Sequence, residues 1–157
     1  MASEKTNVMR LLDGKRVPYT AHDYSHTSAI SGAEVAEALD EDPDRVFKTL
    51  VTRGAGGEHY VFMIPVLCEL DLRKAARAVG EKSVEMVKSK ELLPLTGYIH
   101  GGCSPIGMKK RFTTVIDETA GLFDRIFFSA GKIGWQVETT LDGLGELVEF
   151  TLADITE

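Results

Sequence analysis

The sequence has few of the residues that mark secreted, membrane or disordered chains. Only two cysteines occur in 157 residues, Cys68 and Cys103, which excludes a disulfide framework. No apolar run approaches the ~20 residues that a membrane span requires, and residues 1–16 lack the apolar stretch of a secretory signal. Hydrophobic residues make up 43% of the chain, which excludes intrinsic disorder. We therefore expect a cytoplasmic globular protein, with a single domain over residues 1–157.

Acidic residues outnumber basic ones, and the net charge of −6 argues against a general nucleic-acid binder. The charges are unevenly distributed, however. Residues 73–111 hold nine basic and three acidic residues, a net charge of +6, whereas the rest of the chain carries −12. A basic segment on an acidic protein can meet phosphates locally. The alternative is a solvated surface spread over several elements, and charge alone leaves both interpretations open.

The pattern of turns and apolar residues predicts an α+β fold. Ser31-Gly32-Ala33-Glu34 has the form of a capping box and opens a helix to about Leu39. A strand over Val46–Arg53, a glycine-rich turn and a second strand over His59–Val66 are typical of a β-hairpin. Further strands are expected at Val17–Ser25, Tyr98–His100, Phe112–Ile116, Arg125–Ser129 and Trp135–Thr139, and further helices at 6–13, 71–79, 89–96 and 141–150. Hairpins and an excess of strands favour antiparallel pairing over a doubly wound sheet.

The histidines and cysteines do not form a recognisable catalytic or metal-binding motif. His22, Tyr24 and His26 alternate, so on a strand they would share one face. No third ligand follows at a recognisable spacing, and there is no HExxH or CxxC, which favours ordinary strand histidines over a metal site. Cys103 is interpreted as a filler residue, because a nucleophilic thiol needs a base and an electropositive setting. We expect no metal and no cofactor.

Two glycine loops and one lysine are better candidates for a binding site. The loops cover Gly101–Gly107 and Ser129–Gly134, each after a predicted strand. Glycine lets a backbone approach a ligand and present its N–H groups, so the two loops can form one pocket for a carbonyl or phosphate. Tight turns in a β-rich domain are the alternative. Lys48 lies in an otherwise apolar strand, where it either snorkels to solvent or acts as a fixed cation for an oxyanion or phosphate.

Taken in order, these segments resemble the YbaK-type family of bacterial Cys-tRNA(Pro) deacylases, which is related to the editing domain inserted in bacterial prolyl-tRNA synthetases. The resemblance covers about residues 8–155, and Gly101 with Pro105 matches the GxxxP loop of the wider editing superfamily. The matching segments are Val46–Leu50, Leu70–Lys74, Gly97–Gly107, Lys109–Arg111, Ile116-Asp117 and Ser129–Lys132. The resemblance implies a mixed, mostly antiparallel sheet curled into a partial barrel, with helices around it.

The resemblance also assigns roles to particular residues. Lys48 matches an essential lysine that holds the terminal phosphate or the ribose of the acceptor adenosine. Gly101 and Gly102 match a loop whose N–H groups bind the aminoacyl carbonyl. The remaining residues with a predicted role in substrate binding are Tyr24, Ser129, Gly131 and Gln136. Family members often carry aspartate in place of Gln136 and arginine in place of Ile133, and these departures bear on amino-acid preference.

The implied function is trans-editing, the removal of cysteine from mischarged Cys-tRNA(Pro), and also from Cys-tRNA(Cys), with prolyl-tRNA synthetase as a partner. In this family the thiol of the substrate attacks its own ester, which agrees with the absence of a convincing triad, dyad or metal motif in the sequence. Two alternatives stay open. One is a deacylase that uses water to cleave another small residue, such as alanine, from tRNA(Pro). The other is a non-catalytic module that binds tRNA or the synthetase.

Overall fold

The structure, a computed structural model, describes residues 5–157, which form five α-helices, two 3-10 helices and eight β-strands. The helices are α1 (Asn7–Gly14), α2 (Gly32–Ala38), α3 (Leu72–Val79), α4 (Ser89–Thr96) and α5 (Leu141–Gly145), and the 3-10 helices cover Pro43–Arg45 and Glu118–Leu122. The strands are β1 (Thr20–Asp23), β2 (Phe47–Gly54), β3 (His59–Pro65), β4 (Val84–Met86), β5 (Thr113–Asp117), β6 (Ile126–Ser129), β7 (Trp135–Thr139) and β8 (Phe150–Ala153). Within residues 5–157, no helix is both long and apolar enough to cross a membrane.

The strands form two sheets, with the orders β1-β7-β6 and β4-β2-β3-β5-β8. The β3–β5 and β5–β8 pairs are parallel, and the other four pairs are antiparallel. The predicted α+β fold with a mixed, mostly antiparallel arrangement is therefore confirmed. The sheets do not close into a barrel, and in the described part of the chain a single bridge between Val46 and Phe127 joins them.

Local signals in the sequence fix the elements that surround the junction of the two sheets. The predicted capping box is present at α2, where Ser31 Oγ accepts from the Glu34 N–H at 3.2 Å and Glu34 Oε1 accepts from the Ser31 N–H at 3.0 Å. Caps of this kind are worth about 1 kcal/mol. Val8, Met9 and Leu12 of α1 are buried in the main core. The short, capped helix α2 thus begins at a defined residue beside the junction.

The first half of β2 lies on an open sheet edge. Strand β4 pairs only with Thr52, Arg53 and Gly54 of β2. Among residues 5–157, the earlier part of β2 has no further strand on that side apart from the bridge at Val46. A strand edge leaves backbone N–H and C=O groups without ladder partners. The junction between the two sheets therefore offers a polar edge beside apolar side chains.

Several predicted elements are wrong or incomplete. Tyr98–His100 is not a strand but part of a loop, because Gly97 ends α4 in the left-handed conformation (φ 88°) and the following residues turn back. The first strand stops at Asp23 rather than Ser25. The last helix ends at Gly145, and Phe150–Ala153 pairs with β5 instead. That pairing is a long-range contact, which local periodicity does not report.

Candidate active site

A cavity of about 450 Å³ opens where the two sheets meet. Its wall is built by α2, the open half of β2, the loop after α4, and the facing ends of β6 and β7. The volume falls within the range of about 300–1,000 Å³ that is usual for small-molecule sites. Five of the seven residues predicted from the sequence line this cavity: Tyr24, Lys48, Gly101, Ser129 and Gln136.

Lys48 is placed in the cavity wall by the strand that carries it. It lies on β2 opposite Ile64 of β3. Its strand neighbours Phe47 and Thr49 point to the other face of the sheet, yet they line the cavity too, because the cavity lies at the open edge of β2. The Lys48 side chain is half-buried and lines the cavity. Within residues 5–157 it has no ion pair and no hydrogen bond. A fixed ammonium group without a protein partner is suited to an anionic or oxygen-rich ligand.

The opposite wall consists of polar side chains from β6 and β7 and the tyrosine after β1. Ser129 and Gln136 are register partners, so their side chains share one face of the three-stranded sheet. Gln136 is only 3% exposed, and its Oε1 has no hydrogen-bond partner among the described residues. Tyr24 is buried, which raises the pKa of its phenol, and its N–H donates to the Gly134 carbonyl at 2.8 Å. The tyrosine is thereby tied to the second glycine loop.

The first glycine loop contributes Gly101 to the cavity lining. Gly101 has a φ of +90°, and a Cβ there would lie 3.0 Å from Ile30 Cγ2, so both conformation and space require glycine. Its N–H makes no hydrogen bond within the described part of the chain. Gly102 does not line the cavity, and its N–H donates to the Ile99 carbonyl at 3.0 Å. The grip by two donors, Gly101 and Gly102, that the resemblance implies is therefore not available in this arrangement, since of these two N–H groups only that of Gly101 makes no hydrogen bond among the described residues.

The second glycine loop supports the first, but the structure does not bring Gly131 into the cavity. Gly131 has a φ of +89°, and a Cβ there would come within 2.9 Å of both Tyr98 and Val8. This packing explains why residue 131 is a glycine. The Gly131 N–H donates to Ser129 Oγ at 3.1 Å. A Cβ at Gly102 would lie 3.3 Å from the Ile133 backbone nitrogen. The two loops thus lie against each other beside one pocket.

The cysteine and histidine side chains lack the features of an enzyme nucleophile or a metal centre. Cys103 lines the cavity, but burial raises the pKa of its thiol to about 12, so at neutral pH it is a poor nucleophile. His22 Nε2 lies 2.9 Å from Glu138 Oε1, whereas His26 is exposed beyond the end of β1. Because β1 ends at Asp23, Tyr24 and His26 lie outside the strand and do not share a strand face with His22. Among residues 5–157, no three potential metal-ligating side chains come together.

Comparison with known proteins shows the family to which the chain belongs. The family model of the aminoacyl-tRNA editing domain matches residues 26–147, which include every cavity-lining position from Ile30 to Gln136. The chain belongs to this family. The resemblance found in the sequence is thereby confirmed.

Named relatives of this editing domain agree with that assignment. The chain is 44% identical over 154 residues to the "Putative Cys-tRNA(Pro)/Cys-tRNA(Cys) deacylase EbsC" of Enterococcus faecalis, covering 98% of this chain and 94% of the relative. It is 32% identical over 85 residues to the proline–tRNA ligase of Pelobacter propionicus, covering 54% of this chain and 15% of the ligase. A crystal structure of "a putative trans-editing enzyme for prolyl tRNA synthetase" superposes with a TM-score of 0.82, at 24% identity and 99% coverage of both chains.

Two cavity-region residues of this editing domain were missed by sequence reasoning. Thr49 lines the cavity, and its Oγ1 is buried without a hydrogen-bond partner in the described residues. Both carboxylate oxygens of Glu41 are buried without such a partner as well. Glu41 belongs to the acidic run Glu41-Asp42-Pro43-Asp44, which is typical of an exposed turn. Only the packing of that turn against the three-stranded sheet places the carboxylate inside.

Part of the basic segment of this editing domain lies in or near chain segments that also supply residues to the cavity lining. Helix α4 supplies Leu92 to the lining, and the first glycine loop supplies Gly101. Exposed cations lie at the start of α4 and after that loop, and they are Lys88, Lys90, Lys109, Lys110 and Arg111. None of the five has an ion pair among residues 5–157, whereas Arg53 is paired with Glu85 at 2.9 Å. Exposed cations without ion pairs are suited to a polyanionic ligand.

Proposed function

We propose that this editing domain is a trans-editing deacylase that removes cysteine from mischarged Cys-tRNA(Pro). The observation that carries the proposal is that Lys48, a cation without an ion pair, and Gly101, whose N–H makes no hydrogen bond in the described structure, line the same cavity. The chain that holds this cavity belongs to the aminoacyl-tRNA editing family. The name of the Enterococcus faecalis relative supports cysteine as the amino acid. Proline and cysteine are of similar size, and apolar pockets discriminate poorly between such near-isosteres, so a second site is required for accuracy.

Lys48 and Gly101 have distinct roles in this proposal. Lys48 holds the terminal phosphate or the ribose oxygens of the acceptor adenosine, as a point charge. The Gly101 N–H donates to the carbonyl oxygen of the aminoacyl ester and stabilises negative charge that develops there. Tyr24 and Ser129 form the wall against which the aminoacyl group lies. The role of Gly102 is confined to holding the loop, because its N–H is already bonded to Ile99.

The nucleophile in this proposal is the thiol of the bound cysteine. The thiolate sulfur attacks the ester carbonyl carbon, a C–S bond forms, and the C–O bond to the ribose breaks. The ribose oxygen takes up a proton, which leaves free tRNA and a cysteine thiolactone that water then opens. A cysteine thiol has a pKa of about 8.5, so a few per cent is thiolate near neutral pH. Orientation of such an intramolecular reaction can supply effective molarities of about 10⁵–10⁸ M.

In this proposal the exposed cations of the basic segment contact the tRNA. Lys109, Lys110 and Arg111 follow the first glycine loop after Met108 and carry no ion pair in the described structure. Because the whole chain has a net charge of −6, affinity for tRNA alone is expected to be modest. Delivery of the mischarged tRNA by prolyl-tRNA synthetase would compensate for that weak binding.

A deacylation assay with Cys-, Ala- and Ser-tRNA(Pro) tests the proposal. We expect rapid release of cysteine and little release of serine or alanine. Preferential release of alanine would instead indicate a deacylase that uses water. Binding of all three tRNAs without any turnover would indicate a non-catalytic module, and either result would overturn the proposal.

A further inference from the structure

A histidine lies directly before the first glycine loop and lines the cavity. The Gly102 N–H donates to the Ile99 carbonyl at 3.0 Å, which closes a four-residue β-turn with His100 and Gly101 at its centre. Gly101 has a φ of +90°, whereas the φ of His100 is not positive, and this combination is that of a type II turn. The turn fixes the backbone of His100 beside that of Gly101, and both residues line the cavity.

The imidazole of His100 is available to a ligand. The residue is exposed, and its ring has no hydrogen bond and no ion pair within residues 5–157. The other three histidines, His22, His26 and His59, do not line the cavity. An imidazole can accept a proton at one nitrogen and later donate it, and histidine is the side chain that does so most readily near neutral pH.

The other ionisable groups that line the cavity are unsuited to this exchange of protons. Burial raises the pKa of the Tyr24 phenol, and it raises the pKa of the Cys103 thiol to about 12. Glu34 Oε1 accepts from the Ser31 N–H at 3.0 Å, and backbone hydrogen bonds of this kind lower the pKa of its carboxyl. Lys48 holds phosphate or ribose oxygens in the proposed function. The histidine is therefore the cavity-lining group best suited to move a proton.

The proposed reaction has a proton to move. The substrate thiol loses a proton when its sulfur attacks the ester carbonyl carbon, and the ribose oxygen gains one when its bond to that carbon breaks. The sulfur and the ribose oxygen are both bonded to the same carbon in the tetrahedral intermediate, so one group beside it can serve both. In the proposed function the Gly101 N–H binds the carbonyl oxygen, and His100 is the adjoining residue.

We propose that His100 is a catalytic residue that carries this proton from the thiol to the ribose oxygen. The inference rests on the proposed deacylase function. The imidazole accepts the thiol proton as the C–S bond forms, and it donates that proton to the ribose oxygen as the C–O bond breaks. The products are the cysteine thiolactone and a free ribose hydroxyl, and the imidazole is neutral before and after. The step therefore needs no further reactant.

Replacement of His100 tests this role, because an exposed side chain without partners in the described structure can be removed with little effect on stability. His100→Ala and His100→Gln should melt like the wild type. Their kcat/KM for Cys-tRNA(Pro) should fall by about a hundredfold, the lower end of what general acid–base catalysis contributes. His26→Ala is the matched control, because His26 is also exposed and does not line the cavity.

Two further readouts separate proton transfer from a structural role. Without the imidazole, attack depends on thiolate that has already formed, so the rate of His100→Ala should rise about tenfold per pH unit below the thiol pKa of about 8.5. The wild type should reach its plateau at a lower pH. Imidazole added to the solution should restore part of the turnover of His100→Ala and should not accelerate the wild type.

A folded His100→Ala enzyme with wild-type turnover would overturn the inference. A slow variant that keeps the wild-type pH profile and does not respond to imidazole would also overturn it, because His100 would then only shape the turn. Failure of the wild type to release cysteine would instead overturn the proposed function.

Discussion

Replacement of Lys48 by alanine is the most informative single change in the cavity. The side chain is half-buried and has no partner in the described structure, so its removal breaks no ion pair or hydrogen bond of the protein. A lost surface contact of this kind costs less than about 1 kcal/mol of unfolding free energy. For a chain of 157 residues that corresponds to a fall in Tm of about 2–4 °C. We therefore expect Lys48→Ala to stay folded.

The effect of Lys48→Ala on turnover should be much larger. A hydrogen bond to a charged group is worth about 1.5–3 kcal/mol, and a unit charge 4 Å from a phosphate oxygen contributes about 4 kcal/mol at an effective dielectric of 20. These values correspond to a loss of about tenfold to a thousandfold in kcat/KM. Lys48→Arg should keep part of the activity because it keeps the charge, and Lys48→Met should not.

The assay is release of labelled cysteine from Cys-tRNA(Pro), run beside thermal melting of each variant. Lys15→Ala is a matched control, because it removes the same charge from an exposed residue after α1 that does not line the cavity. A folded Lys48→Ala enzyme with near-normal turnover would remove Lys48 from the site and refute the reasoning.

Three further predictions concern the cysteines, metal dependence and the basic surface. The double variant Cys68→Ser, Cys103→Ser should remain active, and inactivity of the folded double variant would restore Cys103 as a candidate nucleophile. Wild-type protein treated with EDTA should also remain active, and loss of turnover would indicate a metal. Charge reversal of Lys109 and Lys110 to glutamate should raise KM for the tRNA, leave kcat nearly unchanged and reduce the salt dependence by about one unit of slope per lost phosphate contact. An unchanged KM at low salt would show that the tRNA lies elsewhere.

Local features of the fold were predictable because short segments determine them. The capping box at Ser31, the glycine turn after β2 and the cap of α3 at Asp71 each depend on a few neighbouring residues. Strand β8 was not predictable, since Phe150–Ala153 pairs in parallel with β5 across more than thirty residues of chain. Strand β4 was missed for the same reason, because its pairing depends on a distant part of the chain. It has only three residues, and it pairs with one end of β2 alone.

The candidate site was predictable only in part, for a related reason. Lys48 could be singled out because a cation in an apolar strand is unusual. Gly131 could not be separated from the ligand-binding glycines, because a glycine needed for packing against Tyr98 and one needed for a ligand have the same sequence signal. Glu41 was hidden in an acidic turn. Its burial depends on how the end of α2 packs on β7, which is a property of the tertiary structure.

The central claim is that the substrate supplies its own nucleophile, and S-alkylation of the bound cysteine tests it most directly. Cys-tRNA(Pro) and its S-methylated form are presented to the wild-type enzyme at equal concentration, and release of the amino acid is timed. The account predicts fast release from the free thiol, with a thiolactone that can be trapped, and almost none from the methylated substrate. Equal release from both would contradict the account, because the ester would then be cleaved by water.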